Sequence, residues 1–295
     1  MAVIATQLAV TRETFRLDVE TVSADATGTA IVGPNGAGKT TLLLALQGLL
    51  ACRGRVERPT RSAGVFSQPA FLRGSARWNV SVVLQSALAM DAGAAGQRAL
   101  TALRLVGLED AADQDARRLS AGQRQRLALA RALVLEPQAL LLDEPFASID
   151  ADGRCALRQV VGDYVARTGC ALVLATQTLA DVTALCRHVV LLERGRIVER
   201  LSAPGLTVSR HPYLRALLSE GRFMVSWAAA DQDEPAYRAP GDGPRAPIRP
   251  PKPFRLERHN DRAGAVMATG STAGTPDIGS PPDPAGRRGR VRSSQ

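Results

Sequence analysis

The chain has 295 residues, 45% hydrophobic but only 4% aromatic, with a net charge of +9. That length and composition support one large or two ordinary domains around a core of Leu, Val and Ala. No window approaches the roughly 20 uncharged apolar residues of a membrane span, and Arg12 and Glu13 fall too early for a secretory leader. The chain therefore reads as cytosolic, acting at a membrane only through a partner. From Arg238 onward, 11 Lys/Arg against 5 Asp/Glu carry +6 of the +9, leaving +3 for the rest. The basic balance thus belongs largely to the tail. Cys52, Cys155, Cys170 and Cys186 show neither C-x-x-C nor metal-ligand spacing and read as free, small core residues in a reducing compartment.

Residues 1–32 alternate apolar and polar through Val3-Ile4, Leu8-Ala-Val10 and Phe15-Arg-Leu-Asp-Val19, which predicts antiparallel strands with a turn over Ala24–Gly28. Thr29-Ala-Ile-Val32 reads as a short strand, and Thr41–Gln47 as a helix. Between them lies Gly33-Pro-Asn-Gly-Ala-Gly-Lys-Thr-Thr41, in the strand–loop–helix setting a phosphate-binding loop needs. Gly33, Gly36 and Gly38 let consecutive backbone N–H groups turn inward, with Pro34, Asn35 and Ala37 between them. The helix that follows adds its positive end. Lys39 supplies a cation for the β- and γ-phosphates, and the Thr40 hydroxyl is placed for Mg²⁺.

Gly54–Glu57 and Ala63–Phe66 read as short strands, the second running into Ser67-Gln-Pro69. Val80–Met90 and Gly96–Val106 have helical spacing and predict a small helical insertion. Leu119-Ser-Ala-Gly-Gln123 precedes a helix over Arg124–Leu135, stopped near Pro137. Ala139-Leu-Leu-Leu-Asp-Glu-Pro145 looks like a central parallel strand delivering two acids, Asp143 and Glu144, at its carboxyl end. A helix over Cys155–Thr168, a buried strand over Cys170–Thr176, a helix over Ala180–Cys186, strands at His188–Leu192 and Gly195–Glu199, and a short helix over Tyr213–Leu218 complete the reading. Beyond about Trp227, Pro, Gly, Arg, Asp and Ser dominate, and the segment reads as a disordered, solvated tail.

The phosphate loop alone does not choose a family. Joined to Leu119-Ser-Ala-Gly-Gln123, about 20 residues before Leu-Leu-Leu-Asp-Glu, it resembles the nucleotide-binding subunit of an ABC transporter over roughly residues 1–200. The resemblance implies an α/β P-loop NTPase fold of the ABC type, with a mixed central sheet, N-terminal antiparallel strands and a small helical subdomain. It implies an ATPase domain over 1–208 (helical subdomain about 72–120), a C-terminal helix and extension over 209–226, and the tail over 227–295. ATP and Mg²⁺ are the implied cofactors, with Gly33 to Thr41 on the phosphates and Asp143 holding Mg²⁺ with Thr40. Glu144 would orient or deprotonate the attacking water. Ser120 and Gly122 would grip the γ-phosphate of a second ATPase subunit's nucleotide, and Asp150 would lie in the loop crossing between subunits.

Three positions depart from the family pattern. Gln177 stands where a switch histidine is expected; its amide donates hydrogen bonds but carries no proton, which predicts slow ATP turnover. Gln68, favoured here for γ-phosphate and metal contact, is one residue before Pro69, while Ser67 fills the usual slot two residues before it. No tyrosine precedes the loop to stack adenine; Phe15 is a core strand residue or a stacker, and Arg12 could cover the base through its guanidinium plane.

The implied function is the ATPase subunit of a bacterial importer at the cytoplasmic face of the membrane. Its partners would be transmembrane permease subunits, a second ATPase copy and a solute-binding protein. Phe15–Val19, Phe71–Ser75 and Ser219–Phe223 resemble molybdate- and tungstate-type systems. The alternatives are a catalytically weak partner in a heterodimer, or a DNA- or ribosome-associated ABC ATPase. The latter would need long coiled-coil insertions or two cassettes, neither of which this chain carries, and no specific nucleic acid is expected.

Overall fold

The computed structural model describes residues 2–12 and 15–220. The expected tail over 227–295 and the end of the 209–226 extension lie outside them. The strands are β1 (Val3–Arg12), β2 (Phe15–Ala24), β3 (Thr29–Val32), β4 (Arg53–Glu57), β5 (Ser62–Val65), β6 (Ala139–Asp143), β7 (Ala171–Ala175), β8 (His188–Glu193) and β9 (Arg196–Ser202). The helices are α1 (Lys39–Gln47), α2 (Ala76–Leu88), α3 (Ala92–Leu105), α4 (Ala121–Leu133), α5 (Ala151–Thr168), α6 (Leu179–Leu185) and α7 (Pro212–Glu220).

The strands form two sheets. One is three-stranded and antiparallel, in the order β2-β1-β4; the other is six-stranded, in the order β5-β6-β7-β3-β8-β9. β5, β6, β7, β3 and β8 run parallel, and β9 returns antiparallel at the edge. β3, β6 and β7 are buried at every position, as central parallel strands covered on both faces must be. Their side chains divide by the period of two. Leu140, Leu142, Leu172, Leu174, Ala30 and Val32 join the core under the helices. Leu141, Val173 and Ile31 join a second core, with α1 and the three-stranded sheet. α1 is thus held between sheets through buried Leu42, Leu43 and Leu46. β1 and β2 alternate buried and exposed residues, as one-sided strands do.

α5 begins at Ala151, four residues before the expected start, because the Asp150 carboxylate accepts from the Gly153 N–H (2.8 Å) and caps the helix. The four cysteines are free, but only Cys170 and Cys186 are buried. The expectation that all four are core residues fails at Cys155, which lies on the solvent face of α5, and at half-buried Cys52.

One buried ion pair anchors the turn after β7. The Asp181 side chain is 4% exposed, pairs with Arg158 Nη1 at 3.3 Å, and accepts from the Thr176 hydroxyl at 3.2 Å. Burial pushes its carboxyl above the usual carboxylate range, while Arg158 and Thr176 pull it back. Removing the cation alone strands a buried charge, so Arg158→Leu should cost about 2–3 kcal/mol at neutral pH in chemical denaturation. An acid whose folded pKa lies above its unfolded one is better tolerated protonated. The deficit should therefore shrink as pH falls through the raised Asp181 pKa, and a deficit that grows there would contradict this account.

Candidate nucleotide-binding site

The loop between β3 and α1 is held open by its backbone. Gly33 has φ +153, and a Cβ there would lie 2.1 Å from the Leu192 carbonyl oxygen. Gly38 has φ +105 and approaches the Phe15 ring, 2.6 Å from where its Cβ would stand. As the left-handed N-cap of α1, Gly38 supplies no side chain to the first-turn N–H groups, leaving those donors to a ligand. The β8–β9 turn braces the loop, Gly195 N–H donating to the Ala37 carbonyl at 2.9 Å. Asn35 and Gly36 form the exposed tip, and Thr41 is half-buried in the first turn of α1.

Lys39 is 7% exposed. Burial lowers its pKa, opposed by Glu144 and Asp143. Its Nζ donates to the carbonyls of Gly33 (2.7 Å) and Pro34 (3.1 Å). Thr40 Oγ1 donates to Asp143 Oδ2 at 2.7 Å. Burial raises the pKa of Asp143, against hydrogen bonds from Thr40 and Ser67 and the charge of Lys39. The side chain reaching Asp143 from the segment after β5 is thus Ser67, where the sequence favoured Gln68; both residues are exposed. Both residues lie in the bend that follows β5, and the course of that bend brings Ser67 to the acid.

Glu144 has φ +47, its N–H donating to the Ala175 carbonyl at 2.9 Å. Burial raises its pKa, against the hydrogen bond from Gln177. Gln177 Nε2 donates to Glu144 Oε1 (3.2 Å) and to Asn35 Oδ1 (2.9 Å), so one amide joins the ends of β6 and β7 to the loop tip. Phe15 and Gly36 line a shallow depression with Arg16, Asp18, Arg194 and Arg196. Phe15 is also half-buried against the core, so it touches both loop and core.

Ser120, Gly122 and Asp150 form a second cluster. Ser120 caps α4 in a capping box, accepting from the Gln123 N–H (3.2 Å) while Gln123 Oε1 accepts from the Ser120 N–H (2.9 Å). Gly122 allows a close approach of Ser148, whose carbonyl oxygen would stand 2.8 Å from a Cβ there. Asp150 lies 3.8 Å from Arg126 of α4. Among the described residues, no hydrogen bond or ion pair joins this cluster to the phosphate loop. Sequence reading missed Arg126, and also Tyr213, whose hydroxyl donates to the Gly33 carbonyl at 3.0 Å.

The family model described as ABC transporter matches residues 20–147. The tungstate uptake system ATP-binding protein TupC of Peptoclostridium acidaminophilum is 35% identical over 193 residues, covering 62% of this chain and 90% of TupC. The chain belongs to the ABC transporter ATP-binding family. Other members include the aliphatic sulfonates import protein SsuB 1 of Nocardia farcinica (42% identity; 56% of this chain, 66% of SsuB 1). The molybdenum import protein ModC of Mycobacterium tuberculosis is 40% identical over 62% of this chain. The chain spans 66% of SsuB 1 and 56% of ModC, so both relatives extend beyond the match. Its fold matches a dimeric ATP-binding cassette bound to ADP and Pi, with a TM-score of 0.63 and 22% identity over 68% of this chain and 98% of the other.

In this ABC fold Gly33 has no room for a side chain, so Gly33→Ala should weaken ATP binding about five- to hundredfold through about 1–3 kcal/mol of backbone strain. Equilibrium titration checks this, and unchanged affinity would show that the loop can shift off Leu192.

Proposed function

We propose that two copies of this chain bind and hydrolyse ATP to drive a membrane importer whose cargo is an oxyanion. The observation that carries this reading is one convergence: Lys39, Thr40 bonded to Asp143, and Glu144 bonded to Gln177 all meet at the carboxyl ends of β3, β6 and β7. In open parallel sheets that edge is where ligands bind.

The Thr40 hydroxyl and the Asp143 carboxylate are hard oxygen donors beside the phosphate loop, a fit to Mg²⁺ carried in with the nucleotide. Among the described residues, no group of three His, Cys, Asp or Glu could form an all-protein metal cage, which suits such a cation. Mg²⁺ there would neutralise charge on the β- and γ-phosphates. Lys39 and the loop N–H groups hold the phosphates, and Ser67 keeps the Asp143 carboxylate aimed. Glu144 accepts the proton of the attacking water, and its raised pKa favours that acceptance. Gln177 fixes the Glu144 carboxylate against Asn35 but carries no charge to the γ-phosphate, from which slow turnover is expected. Ser120, Gly122 and Asp150, apart from the loop within one chain, close over the nucleotide of a second copy.

The oxyanion reading rests on relatives named for tungstate, molybdenum and aliphatic sulfonates. Among the described residues no helix is long and apolar enough to cross a membrane, so permease subunits supply the span. Leu72 and Trp78, exposed apolar side chains just beyond Ser67, offer the permease a contact. The chain then works at the cytoplasmic face, with a solute-binding protein delivering cargo.

Glu144→Gln should lower ATP turnover about a hundredfold or more while leaving ATP affinity within about threefold; equal turnover would remove Glu144 from the mechanism. Ser67→Ala should slow turnover more than Gln68→Ala, since Ser67 reaches Asp143. The reverse order would return the role to Gln68. Gln177→His should raise turnover in the permease-coupled assay, and no gain would sever Gln177 from the slow rate.

A further inference from the structure

The Gly33 carbonyl accepts from Lys39 Nζ and, across 180 residues of sequence, from the Tyr213 hydroxyl. Tyr213 is held in place by its surroundings. Leu214 and Leu217 of α7 are buried in the core under the helices. The Tyr213 N–H donates to His211 Nδ1 (3.3 Å), and the His211 N–H to Ser209 Oγ (3.2 Å). Ser209 in turn donates to Glu199 of β9 at 3.0 Å.

An ammonium has three N–H donors. Lys39 spends two of them on Gly33 and Pro34. Meeting both the β- and γ-phosphates takes two, so at least one backbone carbonyl must be released. Pro34 has the Ala37 N–H as a second donor, at 3.2 Å. Either carbonyl can be the one released; where it is that of Gly33, which is buried, a carbonyl stripped of its donors would destabilise the state that strips it. Its second donor is Tyr213.

We propose that Tyr213 is a positioning residue for the phosphate loop, its hydroxyl keeping the Gly33 carbonyl satisfied while Lys39 turns to the nucleotide. This inference rests on the ATP-binding reading above. It makes the last described helix part of the nucleotide site without any contact to the ligand.

The test is Tyr213→Phe in the full chain, alone and combined with Lys39→Met. Calorimetric titration with the magnesium salt of a non-hydrolysable ATP analogue should give a Kd about three- to tenfold higher for Tyr213→Phe, the range of one net hydrogen bond. Without ligand, its melting temperature should fall by no more than about 1–2 °C, since Lys39 still serves Gly33. In the Lys39→Met background the same substitution should cost several degrees, because Gly33 then keeps no side-chain donor among the described residues. An unchanged Kd, or an equal melting cost in both backgrounds, would reduce Tyr213 to an anchor for α7 and overturn the proposal. A failure of the unsubstituted chain to bind the analogue would instead sink the ATP reading itself.

Discussion

The site depends on the hydrogen bond between Thr40 and Asp143. β3 and β6 are not neighbours, because β7 lies between them. The first turn of α1 reaches across β7 to the end of β6 through this one 2.7 Å contact. It aligns the phosphate loop with the two acids, and it gathers one cation and two carboxylates in a largely buried place. Burial disfavours the charged form of all three, lowering Lys39 and raising Asp143 and Glu144. With Lys39 against two acids, the cluster is already short of positive charge, and a triphosphate adds more negative. The loop N–H groups supply part of the balance, and under the proposed reading a divalent cation on the hard oxygen donors beside them would supply the rest.

The same arrangement explains a strained residue. Glu144 sits at φ +47, a region that costs a non-glycine residue about 1 kcal/mol or more. The conformation persists because its N–H is tied to Ala175 and its carboxylate to Gln177. Without the left-handed turn, the strand alternation would carry Glu144 to the opposite face from Asp143. The strain therefore brings two adjacent acids to one ligand. The Asp181–Arg158 pair acts one step back, setting the turn that presents Gln177: Thr176 Oγ1 donates to Asp181 and accepts from the Thr178 N–H at 3.1 Å.

Legibility in the sequence followed the range of the interactions. The phosphate loop, the apolar strand ending in Asp143 and Glu144, and the Ser120 cap are all written in contiguous residues, each with a short-range physical signature. The alternation of β1 and β2 was equally plain. What sequence reading missed lies across the chain. Ser67 and Gln68 differ by one position, and only the course of the bend after β5 shows which meets Asp143. Tyr213 reads as an ordinary apolar residue of a short helix, because its partner Gly33 is 180 residues away. Asp150 reads as loop because its capping role needs the Gly153 N–H to be seen. The exposure of Cys155 depends on which face α5 buries, and its buried positions, Leu157, Val161, Tyr164 and Val165, leave residue 155 outside.

One connection ties the two clusters to the outer surface. α4, capped by Ser120, spans 13 residues, about 20 Å at the helical rise. Near its far end, Arg131 lies over the Phe71 ring at 4.8 Å and donates to the Ala70 carbonyl at 3.0 Å. The Phe71 segment carries Ser67 on one side and the exposed Leu72 and Trp78 on the other. A guanidinium keeps its charge through burial, so this clasp does not loosen by deprotonation. A displacement of the Phe71 segment would bear on the far end of α4 through Arg131. The same displacement bears on Asp143 through Ser67. The Phe71 segment thus touches both α4, which Ser120 caps, and, through Ser67, the Asp143 carboxylate at the end of β6.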